Sequence, residues 1–262
     1  MYDEVILNHY AQVSREEGHF ESCTMADQKI RDLETNFILA GIKSFLAGNS
    51  TERTKLLDVG CGNGFTLGLV HREFPRLLLS GIEYSPELRE LANKKGLPCK
   101  VLPGDIRDPS TIPSQQDIVI CQRVIINLLN TEDQKKSLRN IIKAIRSGGL
   151  LIIIEAFKSG FDNLSKCRAE LGLSRLTLPH HNLYLEDDFY LSNEDVIEID
   201  TAMGPNVLST HYFISRVLHD LALAATNSNF VRNSLFVNFF DDALPVGVGQ
   251  FSPLKCHVFK KA

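Results

Sequence analysis

The most constraining feature of this sequence is a regular alternation of apolar and amphipathic segments between residues 55 and 157. The apolar segments have few polar residues along their length, and most are followed by a segment with helical spacing. Strands of this kind are buried on both faces, so the pattern predicts an α/β fold with a parallel sheet covered by helices on both faces. Ligands of such sheets bind beyond the carboxyl ends of the strands, which makes the residues after each strand the candidates for a site.

The same patterns place the individual elements. Predicted strands cover residues 55–60, 77–85, 99–106, 117–124, 150–157, 196–201 and 254–261. Predicted helices cover residues 64–75, 86–96, 131–149 and 209–225, and residues 1–54 are expected to be mostly helical. Residues 158–195 are polar and are expected to be irregular. Helix-end signals are Pro86 in a first turn, Thr131 and either Ser209 or Thr210 as caps, and Gly148–Gly149 as a stop.

The composition excludes several classes of partner. The chain has 262 residues and a net charge of −4, so no basic excess suggests binding to nucleic acid or to an anionic membrane. Its longest apolar runs are shorter than the roughly 18 residues needed to span a bilayer. The acidic N-terminus does not resemble a signal peptide, so a cytoplasmic protein is expected. The six cysteines are scattered, without CxxC pairs or clusters with histidine, which predicts reduced thiols and no metal site.

The first motif is the stretch "LLDVGCGNG" at residues 56–64. Asp58 lies at the end of the first strand, and Gly60, Gly62 and Gly64 follow it. Glycines allow the backbone to turn sharply and to approach a ligand closely. The alternative is a tight turn from strand to helix that binds nothing.

Three further motifs follow the next strands. Glu83 in "GIEYSP" is placed to accept both hydroxyls of a ribose, although it could equally be a solvated loop acid. In "GDIRD", Asp105 can accept from an exocyclic amine and Ile106 can pack on a flat ring. The stretch "CQRVIINL" would line the far wall of the same crevice.

The spacing of the glycines separates two classes of cofactor. A dinucleotide site has the pattern G-x-G-x-x-G, with a pyrophosphate on a helix N-terminus. Here the spacing is G-x-G-x-G, and Asp58 would repel a pyrophosphate. A cationic cofactor without phosphate fits better, so an NAD-dependent dehydrogenase is disfavoured.

The series "DVGCGNG", "GIEYSP", "GDIRD" and "DIVICQRVIINL" resembles the class I S-adenosylmethionine-dependent methyltransferases over about residues 55–157. The resemblance implies a Rossmann-like sheet of seven strands, with the last strand antiparallel and inserted between strands five and six. It implies S-adenosyl-L-methionine as the cofactor and S-adenosyl-L-homocysteine as the product.

The resemblance also assigns roles to individual residues. The methionine part of the cofactor would be held by Asp58, Gly60, Cys61 and Gly62. The ribose would bind Glu83, with Tyr84 beside the adenine and Asp105 and Ile106 at the adenine edge and face. Cys121 and Gln122 would lie under the methionyl group.

The flanking stretches "CTMADQKIRDLETNFI", "RVIINL" and "CHVFKKA" are similar to bacterial methyltransferases of polysaccharide and secondary-metabolite clusters. This implies that residues 1–54 form a helical segment that closes over the cofactor, with Arg31 on the cofactor carboxylate and Tyr10 on its sulfonium side. The alternative is that Arg31 is an exposed helix charge paired with Glu34. Residues 55–157 would then be the cofactor-binding core, and residues 158–262 the acceptor cap and the last strands.

The acceptor site is expected in "LPHHNLYLEDDF" and at the start of "STHYFISRV". A sugar hydroxyl has a high pKa and needs a general base, for which His181 is the first candidate, followed by His180 and His211. The predicted substrate-binding residues are Asn127, Tyr184 and Tyr212. Alternatively, the histidines serve solubility and the tyrosines pin a surface loop.

These observations predict O-methylation of a small polar or sugar-like acceptor by in-line displacement. An N-methyltransferase acting on an amine of a small metabolite and an inactive, cofactor-binding regulatory subunit remain as alternatives. The expected partner is a small molecule, with neither nucleic acid nor membrane and with a homodimer as one option.

Overall fold

A seven-stranded sheet forms the centre of the structure, a computed structural model that describes residues 2–17, 25–49, 53–191 and 193–262. Strands β1 to β7 comprise Lys55–Val59, Leu78–Glu83, Val101–Pro103, Gln116–Gln122, Ile145–Ala156, Val196–Glu198 and Leu254–Lys261. Their order in the sheet is β3-β2-β1-β4-β5-β7-β6. Strands β1 to β5 pair in parallel, and β7 pairs antiparallel with both β5 and β6. The mostly parallel α/β sheet with an inserted last strand is confirmed.

Helices pack on this sheet and cover it. Helices α1 to α9 comprise Tyr2–Glu17, Gln28–Ala47, Phe65–Glu73, Pro86–Lys94, Thr131–Ala144, Lys158–Glu170, Ser209–Phe213, His219–Thr226 and Leu235–Ala243. The segment Ile214–Leu218 joins α7 and α8 as a π-helical stretch. Short 3-10 turns lie at Pro109–Thr111 and Ile125–Asn127. None of the helices formed by the described residues is both long and apolar enough to cross a membrane.

The central strands are apolar because both of their faces are covered. Ile152, Ile153 and Ile154 are successive residues of β5, and all three are at most 1% exposed. Successive side chains of a strand point to opposite faces, so burial of all three requires packing on both sides. Burying each such side chain contributes about 1.5–3 kcal/mol to folding. The five described cysteines are free thiols, and Cys23 lies outside the described residues.

Several predicted boundaries and caps were wrong. Asn130, not Thr131, caps α5, because its Oδ1 accepts the amides of Glu132 and Asp133 at 2.9 and 3.1 Å. The same helix ends at Ala144, and the Gly148–Gly149 pair lies within β5. Strand β3 is shorter than predicted, and β6 ends at Glu198.

The predicted caps of α7 have other partners. The Ser209 hydroxyl donates to Val248 O at 2.7 Å, and the Thr210 hydroxyl donates to Pro245 O at 2.6 Å. Neither side chain caps the helix, because both are used to hold the segment that precedes β7.

The segment expected to be irregular begins with helix α6. Its buried residues are Gly160, Leu164 and Arg168, spaced four apart on one face. This stripe carries a single large apolar side chain, so the helical period is almost invisible in the sequence. Helix α9, which begins after its cap Ser234, was likewise not predicted.

A buried polar network ties the N-terminal helices to the C-terminal part of the chain. Asp27 caps α2 by accepting the amide of Ile30 at 3.4 Å. Its carboxylate also binds His211 Nε2 at 3.0 Å and the guanidinium of Arg216. His211 Nδ1 lies 2.7 Å from Asp241 Oδ2 in α9. His211 is 1% exposed and is engaged by carboxylates on both ring nitrogens, so it is a structural residue.

We predict that Gly160→Ala destabilises the fold, because a Cβ at this position would overlap the backbone carbonyl of Ser252. The expected loss is at least about 2 kcal/mol in the free energy of unfolding, measured by urea denaturation. The matched control is Gly68→Ala, also inside a helix, where the new Cβ meets its nearest neighbour at an ordinary 3.6 Å. That variant should gain up to about 1 kcal/mol. Equal stability of the two variants would contradict the packing described here.

We also predict a pH-dependent contribution from His211. Burial disfavours its charged form, but the hydrogen bonds to Asp241 and Asp27 outweigh burial and raise its pKa. A raised pKa in the folded state gives stabilisation that is complete below about pH 6.5 and is lost as the pH rises through the folded pKa. The unfolding free energy of the wild type should therefore fall between pH 6 and pH 9 relative to that of His211→Gln. Parallel pH curves for the two proteins would show that His211 does not carry this charge.

Candidate active site

A cavity of about 370 Å³ opens beyond the carboxyl ends of β1, β2 and β4. Helix α1 contributes Ile6, His9 and Tyr10 to its lining, and the segment after α6 contributes His181 and Tyr184. The sheet therefore supplies the floor of the cavity, and the segments before β1 and after β5 supply the rest of its wall.

The glycine loop after β1 needs glycine for two different reasons. Gly60, Gly62 and Gly64 have φ values of +64°, +56° and +76°, in the left-handed region that other residues avoid. A Cβ on Gly60 would lie 2.7 Å from Val124 Cγ2, so this position has no room for a side chain. A Cβ on Gly62 would meet nothing within 4 Å, and Gly62 lines the cavity. The absence of a side chain at Gly62 leaves space for a ligand.

Two buried carboxylates lie beside this loop. Glu83 accepts the amide of Gly62 at 2.8 Å on Oε2 and the amide of Ser85 at 2.7 Å on Oε1. Burial raises the pKa of Glu83, and these backbone hydrogen bonds oppose the shift. Burial and the charge of Glu83 raise the pKa of Asp58 well above its usual value. The raised pKa values mean that the charged forms of these two neighbouring acids lack a compensating cation, which a cationic ligand would supply.

Asp105 and Arg107 form a polar cluster at the mouth of the cavity, next to α1. Arg107 donates to both carboxylate oxygens of Asp105, with Nη2 at 2.6 Å from Oδ2. Its Nη1 lies 2.7 Å from Asp3 of α1, and its guanidinium lies 5.5 Å from the ring centre of Tyr84. Asp105 was predicted to accept from an adenine amine, and in this structure it is already engaged by Arg107. Because a carboxylate accepts several hydrogen bonds, one further donor can still be accommodated.

Arg31 and Glu34 lie on the inner face of α2. Arg31 is 5% exposed, and its guanidinium lies 4.5 Å from the ring centre of Phe65 and donates to Met25 O at 3.0 Å. It therefore lines the cavity and is not an exposed helix charge. Glu34 is fully buried and accepts the side-chain amide of Gln122 at 2.8 Å.

The turn after β4 is held by a carboxylate at the end of β5. Glu155 is fully buried and accepts the amides of Val124, Ile125 and Ile126 at 2.9, 2.8 and 3.2 Å. Burial raises the pKa of Glu155 to about 7, with these hydrogen bonds opposing the shift. The turn brings Asn127 to the cavity, where its Oδ1 accepts from Asn182 at 2.8 Å.

A cluster of three histidines lies between α1 and the segment after α6. The rings of His9 and His181 stack with centroids 3.6 Å apart, and His180 packs edge-on against both. Burial lowers the pKa of His181 to about 4, and His9 and His180 add to the shift. His181 is thus neutral at neutral pH and able to accept a proton. Its Nδ1 is buried and has no hydrogen-bond partner among the described residues.

The cavity brings together most of the residues singled out from the sequence. The cofactor candidates that line it are Tyr10, Arg31, Asp58, Gly60, Cys61, Gly62, Glu83, Tyr84, Asp105, Ile106 and Gln122. The acceptor candidates that line it are Asn127, His181, Tyr184 and Tyr212. Across the parts of the chain that the structure describes, no group of three or more acids, cysteines or histidines is arranged to hold a metal ion.

Three candidates lie outside the cavity lining. Cys121 is fully buried, and its Sγ lies 3.5 Å from Glu155 Oε1, because neighbouring residues of β4 point to opposite faces and Gln122 takes the cavity side. His180 packs behind His181 and does not line the cavity. His211 is enclosed by Asp27 and Asp241. The structure therefore leaves His181 as the candidate base of the three histidines.

The polar cavity residues that the sequence analysis did not single out include His9, Arg123 and Asn182. The sequence did contain an indication for Arg123, since it is the one charged residue within the mostly apolar stretch "CQRVIINL". The sequence contained no comparable indication for His9 and Asn182, because their positions depend on how α1 packs against the segment after α6.

Comparison with known proteins relates part of this chain to methyltransferases. Residues 56–149 match the family model described as a methyltransferase domain. A malonyl-acyl-carrier-protein O-methyltransferase from Priestia megaterium is 26% identical over 169 residues, covering 62% of this chain and 55% of that protein. A dTDP-4-amino-2,3,4,6-tetradeoxy-D-glucose N,N-dimethyltransferase from Saccharopolyspora spinosa is 29% identical over 103 residues, covering 39% of this chain and 40% of that protein. The chain thus spans about half the length of these curated relatives or less.

A solved structure extends the likeness beyond the matched domain. The magnesium protoporphyrin IX methyltransferase from Synechocystis PCC 6803, solved with bound S-adenosylhomocysteine, superposes with a TM-score of 0.56 at 14% identity. The alignment covers 90% of this chain and 86% of that chain, and at this identity it shows the fold alone. The strand order, the glycine loop and the matched domain together support a class I S-adenosylmethionine-dependent methyltransferase.

Proposed function

We propose that this chain transfers a methyl group from S-adenosyl-L-methionine to a hydroxyl of a small polar or sugar-like acceptor. The observation that carries the proposal is a single cavity lined both by two buried carboxylates beside a side-chain-free loop and by a neutral histidine. The carboxylates suit a cationic cofactor, and the histidine suits removal of a proton from an acceptor.

The residues at the glycine loop fit the proposed cofactor. Asp58, with the backbone of Gly60, Cys61 and Gly62, would hold the methionine part, and the open space at Gly62 is room for it. Glu83 would accept the ribose hydroxyls, since hydrogen bonds to two amides already fix its carboxylate. Residues for the adenine and for the remaining contacts would be Tyr84, Asp105 and Ile106, then Gln122, Arg31 and Tyr10.

The chemistry divides between the cofactor and the chain. When bound, S-adenosylmethionine supplies an electrophilic methyl group on a positively charged sulfur. The chain has to hold the acceptor in line with that methyl, and Asn127, Tyr184 and Tyr212, which line the cavity, would do this. His181 would accept the hydroxyl proton, and it is unprotonated at neutral pH, although a pKa of about 4 makes it a weaker base than an ordinary imidazole. Proton transfer would therefore accompany formation of the new bond to the methyl group, which makes the attacking oxygen more acidic.

The relatives leave both the acceptor class and the methylated atom open. One acts on a malonyl group attached to acyl-carrier protein as an O-methyltransferase, and the other acts on a nucleotide-linked amino sugar as an N,N-dimethyltransferase. A small metabolite of polysaccharide or secondary-metabolite biosynthesis is in keeping with the amino-sugar relative, whereas the other relative is named for an acyl-carrier protein. N-methylation of an amine is the second candidate, and an inactive cofactor-binding subunit is the third. In each case we propose that residues 1–54 close over the cofactor.

We predict that Gly62→Ala weakens binding of S-adenosylhomocysteine at least ~10-fold, because the new methyl group would enter the space left for the ligand. The matched control is Gly96→Ala, which has a similar φ of +67° and equally open surroundings but does not line the cavity. Both variants carry the same backbone strain, about 1 kcal/mol, and should lose similar stability. Isothermal titration calorimetry measures the affinities. No measurable affinity in the wild type would reject the proposed cofactor.

We predict that His181→Gln lowers kcat for O-methylation at least ~100-fold, since the hydroxyl then lacks a base. His180→Gln is the matched neighbour and should change kcat no more than a few-fold. The assay uses labelled S-adenosylmethionine and a panel of hydroxylated sugars and amino sugars. Transfer to amines that survives His181→Gln would favour the N-methyltransferase alternative. Cofactor binding without transfer to any acceptor would favour the inactive subunit.

A further inference from the structure

Arg123 is unusual among the partly buried arginines that the structure describes. It follows β4 directly and has a φ of +57°, in the left-handed region that a residue with a side chain enters at a cost of about 1–3 kcal/mol. Its amide donates to Ile154 O at 2.7 Å, and its carbonyl accepts the side-chain amide of Asn127 at 2.9 Å. The backbone is thus locked in a strained conformation that turns this residue towards the cavity lining.

The guanidinium of Arg123 has little compensation for its burial. Its side chain is 16% exposed, and its Nη1 is buried without a hydrogen-bond partner among the described residues. The nearest carboxylate is Glu34, whose Oε1 lies 3.7 Å from Nε, too far for a hydrogen bond. The other oxygen of Glu34 is occupied by Gln122.

Other arginines show what a structural ion pair looks like in this molecule. Arg107 reaches Asp105 at 2.6 Å, and Arg168 reaches Asp220 at 2.6 Å. Both distances are typical of strong charge-assisted hydrogen bonds. A permanently charged group that lacks such a pair, in a strained backbone at the wall of a cavity, is arranged to bind an anion from outside the chain.

The surroundings of Arg123 suggest which ligand supplies the anion. Arg31 packs on Phe65, the first residue after the glycine loop, and so lies at the proposed cofactor end. Arg123 adjoins Asn127, and its charge acts on the hydroxyl of Tyr212. The guanidinium therefore lies among the residues assigned to the acceptor.

We propose that Arg123 binds a carboxylate of the acceptor, so that the substrate is a small acid and not a neutral sugar. The planar guanidinium would hold the carboxylate through two parallel hydrogen bonds, which fixes the orientation of the acceptor. This inference rests on the proposed function, because the chain has an acceptor only if it transfers a methyl group. The anion site itself can be measured without methyl transfer.

Acetate and acetamide are the probes, because they share a shape and differ in charge. Each is titrated into the protein with and without S-adenosylhomocysteine, with ligand-observed NMR as the readout. Acetate should bind the wild type at least ~10-fold more tightly than acetamide, and Arg123→Met should abolish that preference. Arg123→Lys keeps the charge but loses the paired geometry, and should weaken acetate binding several-fold.

Arg31→Met is the matched control from the other end of the cavity. It should weaken binding of S-adenosylhomocysteine and leave the preference for acetate intact. Absence of a preference for acetate in the wild type overturns the proposal. Displacement of acetate by S-adenosylhomocysteine, or a ~10-fold loss of S-adenosylhomocysteine affinity in Arg123→Met, assigns the arginine to the cofactor and also overturns it. If S-adenosylhomocysteine does not bind at all, the proposed function fails, while the acetate titration still reports on Arg123.

Discussion

Two hydrogen bonds to the carboxylate of Glu83 set the geometry on which the rest of the cavity depends. The loop after β1 consists of residues with little or no side chain, so packing alone cannot fix it. Gly62 and Ser85 both donate their amides to Glu83, which fastens the loop after β1 to the end of β2. The carboxylate thereby stays buried beside Asp58, and the negative charge of the cavity is concentrated where the backbone leaves open space.

Glu155 does the same for the loop after β4. Its three backbone hydrogen bonds fix the turn at Ile125–Asn127, and so fix Arg123 and Asn127 at the two ends of that turn. Burying an acid is costly unless backbone N–H groups or charges compensate. For both Glu83 and Glu155, the compensating hydrogen bonds come from backbone amides of the loops that they hold in place. The two walls of the cavity are therefore built in the same way, with a strand-end carboxylate that binds the loop after the neighbouring strand.

The sequence allowed the sheet and the glycine loop to be predicted, because strands buried on both faces are apolar throughout and a left-handed turn requires glycine. Helix α6 was missed because Leu164 is the only large apolar side chain in its buried stripe. The side of β4 on which Cys121 lies could not be read from a strand whose two faces are both buried. The stack of His9 on His181 joins residues 172 positions apart, and no local pattern encodes it. The strained φ of Arg123 likewise follows from tertiary contacts with Ile154 and Asn127.

The position of Asp27 links two distant parts of the chain mechanically. Asp27 starts α2, and the amide of Arg31, one helical turn later, donates to Asp27 O at 3.2 Å. The carboxylate of Asp27 also forms ion pairs with His211 and Arg216, which lie in the C-terminal third of the chain. A displacement of Arg31 would therefore be transmitted through Asp27 to the α7–α8 segment. Conversely, a displacement of that segment would disturb the first turn of α2. A ligand that holds Arg31 in place is therefore expected to stabilise the contact between α2 and the α7–α8 segment, although none of Asp27, His211 and Arg216 lines the cavity.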